Sequence, residues 1–333
     1  ATPEQVYIAL GEPDVVTVER EDVDIELLRG LRRYCDVFPD PEAVATCGDR
    51  ARERLLLERL GLPAAAHRIA SNTLEVADAA HSLGMPVIAK ATTSGYDGRS
   101  QWHIHNEDQL RAFCFENQPG NWLVESKIRF TREVSFLAAR SANGDVALYP
   151  PTDNHHQNGV LLASVAPAEP LPADLMADGY DYLRVLLDAM DYVGVLAMEC
   201  FVTDAGLLIN ELAPRVHNSG HWTLHSEATS QFENHLRAVL GMNLGSTRVS
   251  RFNGIVNILG PYDREATLQT LSRDATLTDY NKSTAPRRKL GHINISRDSR
   301  EDILEELSRS QHSLYKAEHP SHLARQTDGQ RGW

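Results

Sequence analysis

Hydrophobic and polar positions alternate with two periods along the chain, which predicts interleaved strands and helices. Short apolar runs of about four to eight residues indicate buried strands, and apolar residues three and four positions apart indicate helices. The predicted strands are residues 15–18, 87–90, and a pair at 122–126 and 133–139; the predicted helices are 42–60, 178–190, 227–240 and 300–310. Residues 149–159 are predicted to form a loop. This alternation is typical of an α/β fold.

The hydrophobic pattern of the chain changes at about residue 246. Short apolar segments follow there, around a basic turn, and the helix at 300–310 closes the pattern. We therefore expect a small β-rich C-terminal domain over 246–333, whose last fifteen or so residues form a frayed tail.

Residues 195–221 carry the most chemical information. Apolar runs flank the sequence Asp204, Ala205, Gly206, which predicts a β-hairpin with its turn there. Glu199 and Glu211 are equidistant from Ala205 and should face each other. Carboxylates directly opposite on paired strands repel, at a cost of about 0.2–1 kcal/mol when solvated and more when buried. A cation between them is therefore expected.

Mg²⁺ matches this pair of acids, because it takes one or two protein carboxylates and completes its shell with water and substrate phosphates. The hairpin thus indicates a nucleotide-dependent phosphoryl-transfer site. The alternative interpretation is an exposed hairpin on which the two acids are merely tolerated.

The segment after the hairpin is rich in polar side chains. Pro214 and Gly220 indicate a loop. The side chains that it carries are Arg215, His217, Asn218, Ser219 and His221. Such donors suit a small planar oxyanion, because a guanidinium meets a carboxylate or bicarbonate with two hydrogen bonds. The competing hypothesis is a zinc site formed by the two histidines, although the segment lacks the helix and the intervening Glu that such a pair needs.

Composition indicates an intracellular globular enzyme. The 333 residues are 42 % hydrophobic and 24 % charged, values that are ordinary for domains with buried cores. The four cysteines show no paired or metal-type spacing, and the sequence shows neither a signal peptide nor a long apolar run, so no membrane contact is expected. We expect a reduced, cytoplasmic location.

The net charge of −13 argues against nucleic acid as a partner. A phosphorylated ligand would need local positive charge, and Lys282, Arg287, Arg288 and Lys289 supply it within eight residues. The alternative is an ordinary solvated basic turn.

Residues 91–101 form a second candidate phosphate contact. Gly95 and Gly98 let backbone N–H groups approach an anion, and Lys90 at the end of the preceding strand can reach phosphate oxygens. Glu125 ends a later apolar strand, and Glu133 follows eight residues on. The spacing of these two acids would suit the adenine edge and the ribose hydroxyls of a nucleotide. The alternative for the Gly-containing loop at 91–101 is that, like most loops of this kind, it only turns the chain.

Five segments together resemble the ATP-grasp ligases. They are VIAKATTSGYDGRSQ (87–101), LVESKIRFTREVSFLAARS (123–141), YPPTDNHHQNG (149–159), VGVLAMECFV (193–202) and INELAPRVHNSGHWT (209–223). Within those ligases the chain is similar to the N5-carboxyaminoimidazole ribonucleotide synthetase family over roughly residues 14–295. The resemblance implies an ATP-grasp fold and a purine-biosynthetic ligase. In this family Mg-ATP phosphorylates bicarbonate to carboxyphosphate, and the amine of 5-aminoimidazole ribonucleotide captures the carboxyl group, releasing ADP and phosphate.

The resemblance also implies a role for individual residues. Glu199 and Glu211 would hold Mg²⁺, two ions in the family pattern. The nucleotide would be contacted by Arg50, Lys90, Glu125, Glu133 and His156. Bicarbonate and carboxyphosphate would be bound by Arg215, His217 and Asn218. Aminoimidazole ribonucleotide would be held by Tyr96, Asp97, Lys282, Arg288 and Lys289.

The implied organisation has three parts. Residues 1–47 would be a truncated N-terminal α/β domain, because the chain joins the family pattern about thirty residues in and shows no G-x-G-Q-L-G turn. Residues 48–245 would form the ATP-grasp domain with a lid at about 75–125, and 246–333 the C-terminal domain. The family further implies a homodimer whose product passes to the partner mutase of the purine pathway.

Several positions depart from the family pattern. Ser100 replaces a Gly, Arg54 stands where a phosphate-contacting Lys is common, and Ala285 and Arg287 replace Arg and Gly. We expect these changes to weaken the binding of ATP and of the ribonucleotide, and the shortened beginning to weaken ribonucleotide binding further. A related ligase for another small carboxylate such as formate, and a non-catalytic nucleotide-binding remnant, are the alternative functions.

Overall fold

A computed structural model of the chain describes residues 1–93, 100–117, 120–157, 159–285 and 288–315. The α-helices are α1 (Pro3–Ala9), α2 (Ile25–Leu31), α3 (Pro41–Cys47), α4 (Arg50–Arg59), α5 (Thr73–Leu83), α6 (Glu107–Glu116), α7 (Ala173–Ala189), α8 (Gln231–Val239), α9 (Arg264–Thr270) and α10 (Arg300–Tyr315). A 3-10 helix spans Asn218–His225.

The strands alternate with these helices, as the hydrophobic pattern predicts. They are β1 (Val15–Val16), β2 (Asp36–Val37), β3 (His67–Ala70), β4 (Val87–Ala91), β5 (Gln101–Ile104), β6 (Trp122–Ser126), β7 (Arg132–Arg140), β8 (Val146–Leu148), β9 (Thr152–Gln157), β10 (Val160–Ala166), β11 (Gly194–Thr203), β12 (Gly206–Ala213), β13 (Phe252–Leu259), β14 (Thr276–Asp279) and β15 (Lys289–Arg297).

A nine-stranded antiparallel sheet organises the molecule. Its order is β12-β11-β7-β9-β10-β13-β15-β14, with β8 paired to β7. Helix α7 covers one face, and a Cβ at Gly179 would lie 2.1 Å from the Phe136 ring, so only glycine allows this close approach of helix and sheet. The core between them includes the fully buried Leu183, Leu186 and Leu187.

A second sheet has four antiparallel strands in the order β3-β6-β4-β5. Helices α5 and α6 cover it, and its core contains Trp102, Phe113 and Trp122 in mutual edge-to-face contacts. The predicted strands at 122–126 and 133–139 therefore exist, but their prediction as a pair was wrong, because β6 belongs to this sheet and β7 to the large one.

Two other sequence predictions were wrong in detail. The helix predicted over 42–60 is two helices, because Gly48 ends α3 and the Asp49 side chain caps α4 by accepting from the amides of Ala51 and Arg52. The loop predicted at 149–159 contains strand β9. Its sequence TDNHHQ has no apolar alternation, since its polar side chains line a functional face of the sheet.

The chain ends pack in different ways. Near the N-terminus β1 and β2 form a parallel pair joined through α2, and the predicted strand at 15–18 is confirmed only for its first two residues. Near the other end β13, β14 and β15 extend the large sheet, and α10 packs on β13 and β15.

The domain boundaries given above stay predictions. Among the helices in the described part of the chain, none is long and apolar enough to cross a membrane.

Candidate functional site

Four neighbouring strands of the large sheet present acidic and histidine side chains on one face. Glu199 on β11 pairs with Glu211 on β12, and Phe201, two residues on, pairs with Glu133 of β7. Glu133 in turn pairs with position 154 of β9, two residues before His156. Directly paired residues share a face and side chains repeat with period two, so all four polar side chains point the same way.

The predicted opposition of Glu199 and Glu211 is confirmed, but the turn geometry behind it differs. The strands close through a two-residue turn, because Thr203 pairs with Gly206. A symmetric ladder from that turn would pair position 199 with position 210. A β-bulge adds one residue to β12 between Ile209, which pairs with Cys200, and Glu211. The bulge restores the pairing that the sequence suggested.

The two glutamates and His217 form a candidate metal centre. One potential ligand atom from each lies within 4.8 Å of the others, and His217 Nε2 is 3.7 Å from Glu199 Oε1. Glu199 is only 7 % exposed, whereas Glu211 is exposed. Burial and the charge of Glu211 raise the pKa of Glu199 to about 7, although His156 opposes this. A divalent cation would relieve the repulsion, and the two carboxylates are oxygen donors of the kind that Mg²⁺ takes.

His217 is held in a defined orientation at the start of the 3-10 helix. Its Nδ1 lies 2.8 Å from Ser219 Oγ, and its amide donates to Gln231 Oε1 over 2.9 Å. Burial and the charges of Arg215 and Lys289 lower its pKa well below the ordinary value, so the ring is neutral. In the described residues the candidate metal group that contains His217 does not include His221, and this argues against the zinc hypothesis.

Glu133 and His156 form a close ion pair beside this centre. His156 Nδ1 lies 2.7 Å from Glu133 Oε2, and opposite charge joins them rather than a well-aligned hydrogen bond. Burial alone would lower the pKa of His156, but the carboxylate of Glu133 raises it to about 9. The imidazolium is therefore a fixed positive charge next to the acids near physiological pH.

The side chains of Arg215 and Asn218 are engaged by residues that sequence analysis did not identify. The Arg215 guanidinium donates hydrogen bonds to the Glu21 carboxylate from both Nε and Nη2, the latter over 3.0 Å. Asn218 and Asn257 of β13 exchange side-chain amide hydrogen bonds. Glu21 lies in a run of charged residues and Asn257 in an apolar strand, so neither position carries a distinctive signal. The contact with Glu21 shows, however, that the Arg215 guanidinium can bind a planar carboxylate through two hydrogen bonds.

Lys90 and Glu125 meet on the small sheet and connect it to α4. Lys90 Nζ is 2.7 Å from Glu125 Oε2, and Arg54 Nε is 2.7 Å from Glu125 Oε1. Although burial raises the pKa of Glu125, Lys90 and Arg54 hold it at about 2. Both carboxylate oxygens are thus occupied by cations. Glu125 itself lies within β6, where it pairs with His67 of β3 and Ile88 of β4, so its side chain links the small sheet to α4.

Arg50 lies where β4 ends. As the first residue of α4, it donates from Nη1 to the carbonyl oxygen of Ala91 over 2.8 Å, and its amide donates to the carbonyl of Thr92. Lys90 precedes these two residues, so both basic side chains border the Gly-containing loop. Tyr96 and Asp97, predicted from that loop, lie outside the described residues.

The basic turn approaches the same centre from β15. Lys289 begins that strand, and its charge acts on Glu199, His217 and His221. Lys282 lies over the Tyr280 ring, 5.0 Å from its centroid, and Arg288 donates to Ser283. Lys282 and Arg288 are exposed, and Arg287 lies outside the described part of the chain. Part of this turn therefore faces the acids, in contrast to a wholly solvated turn.

Comparison with known proteins identifies relatives along most of the chain. The ATP-grasp domain model matches residues 55–232, and the model for the phosphoribosylaminoimidazole carboxylase C-terminal domain matches residues 254–306. The N5-carboxyaminoimidazole ribonucleotide synthase of Vibrio vulnificus is 37 % identical over 297 residues, which cover 87 % of this chain and 78 % of the relative.

Solved structures agree with the sequence comparison. The N5-carboxyaminoimidazole ribonucleotide synthetase of Thermus thermophilus superimposes with a TM-score of 0.85 at 35 % identity, covering 96 % of this chain and 87 % of the other. A carboxyaminoimidazole ribonucleotide synthase from Aspergillus clavatus, crystallised with ATP, gives a TM-score of 0.86 at 25 % identity, with coverage of 94 % and 85 %.

Proposed function

The chain belongs to the N5-carboxyaminoimidazole ribonucleotide synthase family, and we propose that bicarbonate is its carboxyl donor. We also propose that separate groups of the side chains described above bind the metal, the nucleotide, bicarbonate and the ribonucleotide. The protein is an ATP-grasp ligase of purine biosynthesis that carboxylates 5-aminoimidazole ribonucleotide at the expense of ATP. The observation that supports the residue assignment best is the pairing of Glu199 with Glu211 beside His217.

Glu199 and Glu211 would hold Mg²⁺ through their carboxylate oxygens, and His217, which lies beside them, would bind bicarbonate and carboxyphosphate. Bound there, Mg²⁺ would neutralise charge on the phosphates of ATP. We assign two ions by family resemblance. The protonated His156, fixed by Glu133, would add positive charge on the side of the sheet next to the nucleotide.

The nucleotide is assigned to the space between the two sheets. Lys90 and Arg50 border one side of it and would contact phosphate oxygens. By family resemblance, Glu125 would mark the hinge at the adenine edge. Glu133 would accept from ribose hydroxyls. These residues bind and align the nucleotide, and alignment of donor and acceptor supplies much of the rate in phosphoryl transfer.

Arg215 would bind bicarbonate through its guanidinium fork, exchanging Glu21 for the substrate anion. A bicarbonate oxygen attacks the γ-phosphorus, the bond to the β-phosphate oxygen breaks, and ADP leaves together with that electron pair. The amine of aminoimidazole ribonucleotide then takes the carboxyl carbon from carboxyphosphate, releasing phosphate and a proton. Asn218 would orient the anion, and backbone and guanidinium donors would stabilise its developing charge.

The ribonucleotide phosphate is assigned to Lys282, Arg288 and Lys289, together with Tyr96 and Asp97 of the Gly-containing loop. Lys289 supports this assignment, since its charge already acts on the metal and anion residues. We further propose a homodimer, and transfer of the product to the mutase that follows in the pathway. Both proposals rest on family resemblance.

Substrate dependence of ADP release separates this function from its alternatives. With ATP, Mg²⁺ and aminoimidazole ribonucleotide present, bicarbonate should stimulate ADP formation at least about tenfold and formate should not. Stimulation by formate alone would identify a ligase for a different carboxylate. Binding of ATP without any stimulated hydrolysis would indicate the non-catalytic remnant.

A further inference from the structure

The backbone on both sides of Glu211 is held by two neighbouring residues of α4. Arg54 Nη2 donates to the carbonyl oxygen of Asn210 over 2.5 Å, and the amide of Leu212 donates to Glu53 Oε2 over 2.8 Å. Glu53 and Arg54 are each 2 % exposed. These two contacts, here called the bulge clamp, therefore fix β12 one residue before and one residue after Glu211.

The clamped position is the β-bulge of the hairpin, and Asn210 is its additional residue. In an unbulged ladder from the same turn, Asn210 would lie opposite Glu199 and Glu211 would lie opposite Met198. Met198 is fully buried in the apolar core, on the face away from Glu199. A shift of one residue moves every side chain to the other face, so the loss of the bulge would turn Glu211 away from its partner.

The clamp is itself anchored. Arg54 Nη1 lies 2.6 Å from Glu53 Oε1, and Arg54 Nε lies 2.7 Å from Glu125, which also binds Lys90. The three nitrogens of one guanidinium thus serve three different acceptors. This arrangement ties the bulge of the large sheet to β6 of the small sheet, whose Glu125 also binds Lys90 of β4.

We propose that Glu53 and Arg54 are positioning residues, whose hydrogen bonds to the backbone of the bulge keep Glu211 opposite Glu199. The inference rests on the divalent-ion role proposed for those two glutamates. The family pattern suggests contact with phosphate at the position of Arg54. In this chain, Arg54 would instead hold the backbone of β12, the strand that carries Glu211. The inference also predicts that affinity for metal-nucleotide depends on two buried residues whose side chains do not belong to the candidate metal group.

The test uses the double variant Glu53→Met/Arg54→Met in the full chain, in which neither side chain retains an oxygen or a nitrogen that could replace the two contacts. It removes both charges of the clamp together, and Glu125 keeps Lys90 as its partner, so no buried charge is left alone. We expect affinity for Mn²⁺ with an unhydrolysable ATP analogue, measured by titration calorimetry, to fall at least about tenfold. Arg52→Met, the same exchange at an exposed position of α4, is the matched control and should not change it.

Hydrogen exchange provides a readout that does not depend on metal. Ile209 and Leu212 lie on the same strand, but the Ile209 amide donates to the carbonyl of Pro63 and does not depend on the clamp. In the double variant the Leu212 amide should exchange at least about tenfold faster relative to Ile209, because local opening follows the loss of local contacts. A general loss of stability would accelerate both amides equally and would contradict a positioning role.

A second variant covers the case in which the double variant does not fold. Arg54→Lys keeps a cation between Glu53 and Glu125, but a single ammonium cannot span all three acceptors of the guanidinium. It should fold and show the same changes in smaller measure. Unchanged Mn²⁺-nucleotide affinity and unchanged Leu212 exchange in a folded clamp variant would overturn the proposal.

Glu211→Gln distinguishes the proposal from the assignment on which it rests. If this variant retains full Mn²⁺-nucleotide affinity, the metal assignment fails. If Glu211→Gln loses affinity while the folded clamp variants keep it, the clamp proposal alone fails.

Discussion

Replacement of Glu199 or Glu211 by Gln is expected to abolish ATP-dependent turnover while the fold is retained. Each exchange keeps the side-chain volume and removes the charge that Mg²⁺ requires. In addition, Glu199→Gln removes a buried acid that faces Glu211, so it should not lower the free energy of unfolding. We expect kcat/KM for ADP release to fall at least about tenfold, as is typical when a metal site is perturbed.

The matched control for these variants is Glu305→Gln, at an exposed position of α10 where the carboxylate pairs with Arg309. It should leave turnover unchanged. Turnover within about threefold of the parent in either hairpin variant, given the expected tenfold loss, would remove the metal assignment.

Arg215→Ala should eliminate bicarbonate-stimulated ADP formation and leave affinity for an unhydrolysable ATP analogue almost unchanged. The guanidinium grips a carboxylate in the structure and lies outside the candidate metal group, so its loss should affect the anion alone. His217→Ala should act on both, because His217 lies within the metal group and also caps the 3-10 helix.

Steady-state ADP release as a function of bicarbonate, with calorimetry of analogue binding alongside, measures both effects. Arg237→Ala, the same exchange at a half-buried position of α8 where the arginine pairs with Glu233, is the control. Loss of nucleotide affinity in Arg215→Ala would show that the segment had been assigned to the wrong ligand.

Sequence patterning predicted the fold class and the opposition of the two glutamates for clear physical reasons. A short turn between apolar runs predicts a hairpin, and counting outward from it suggests which residues meet. The count succeeded only because a turn one residue shorter than expected was offset by a bulge. The bulge contacts Glu53 and Arg54, which are distant in sequence, so no local pattern could have revealed it.

The failures have a common origin in tertiary context. Strand β9 carries polar side chains toward the site and therefore lacks the alternation that marks a strand. Strands β6 and β7 are close in sequence, but assignment to different sheets depends on long-range pairing. Glu21 becomes visible as a partner of Arg215 only after the N-terminal segment has folded onto the loop that follows β12.

Isotope transfer from bicarbonate to phosphate tests the central claim most directly. The chain is incubated with ATP, Mg²⁺, aminoimidazole ribonucleotide and freshly dissolved ¹⁸O-bicarbonate, and the released phosphate is analysed by ³¹P NMR. If carboxyphosphate forms, the oxygen that attacked the γ-phosphorus stays with phosphorus, and each phosphate carries one ¹⁸O. Phosphate without ¹⁸O from bicarbonate, but labelled when H₂¹⁸O replaces water, would contradict the account, because water and not bicarbonate would then be the acceptor.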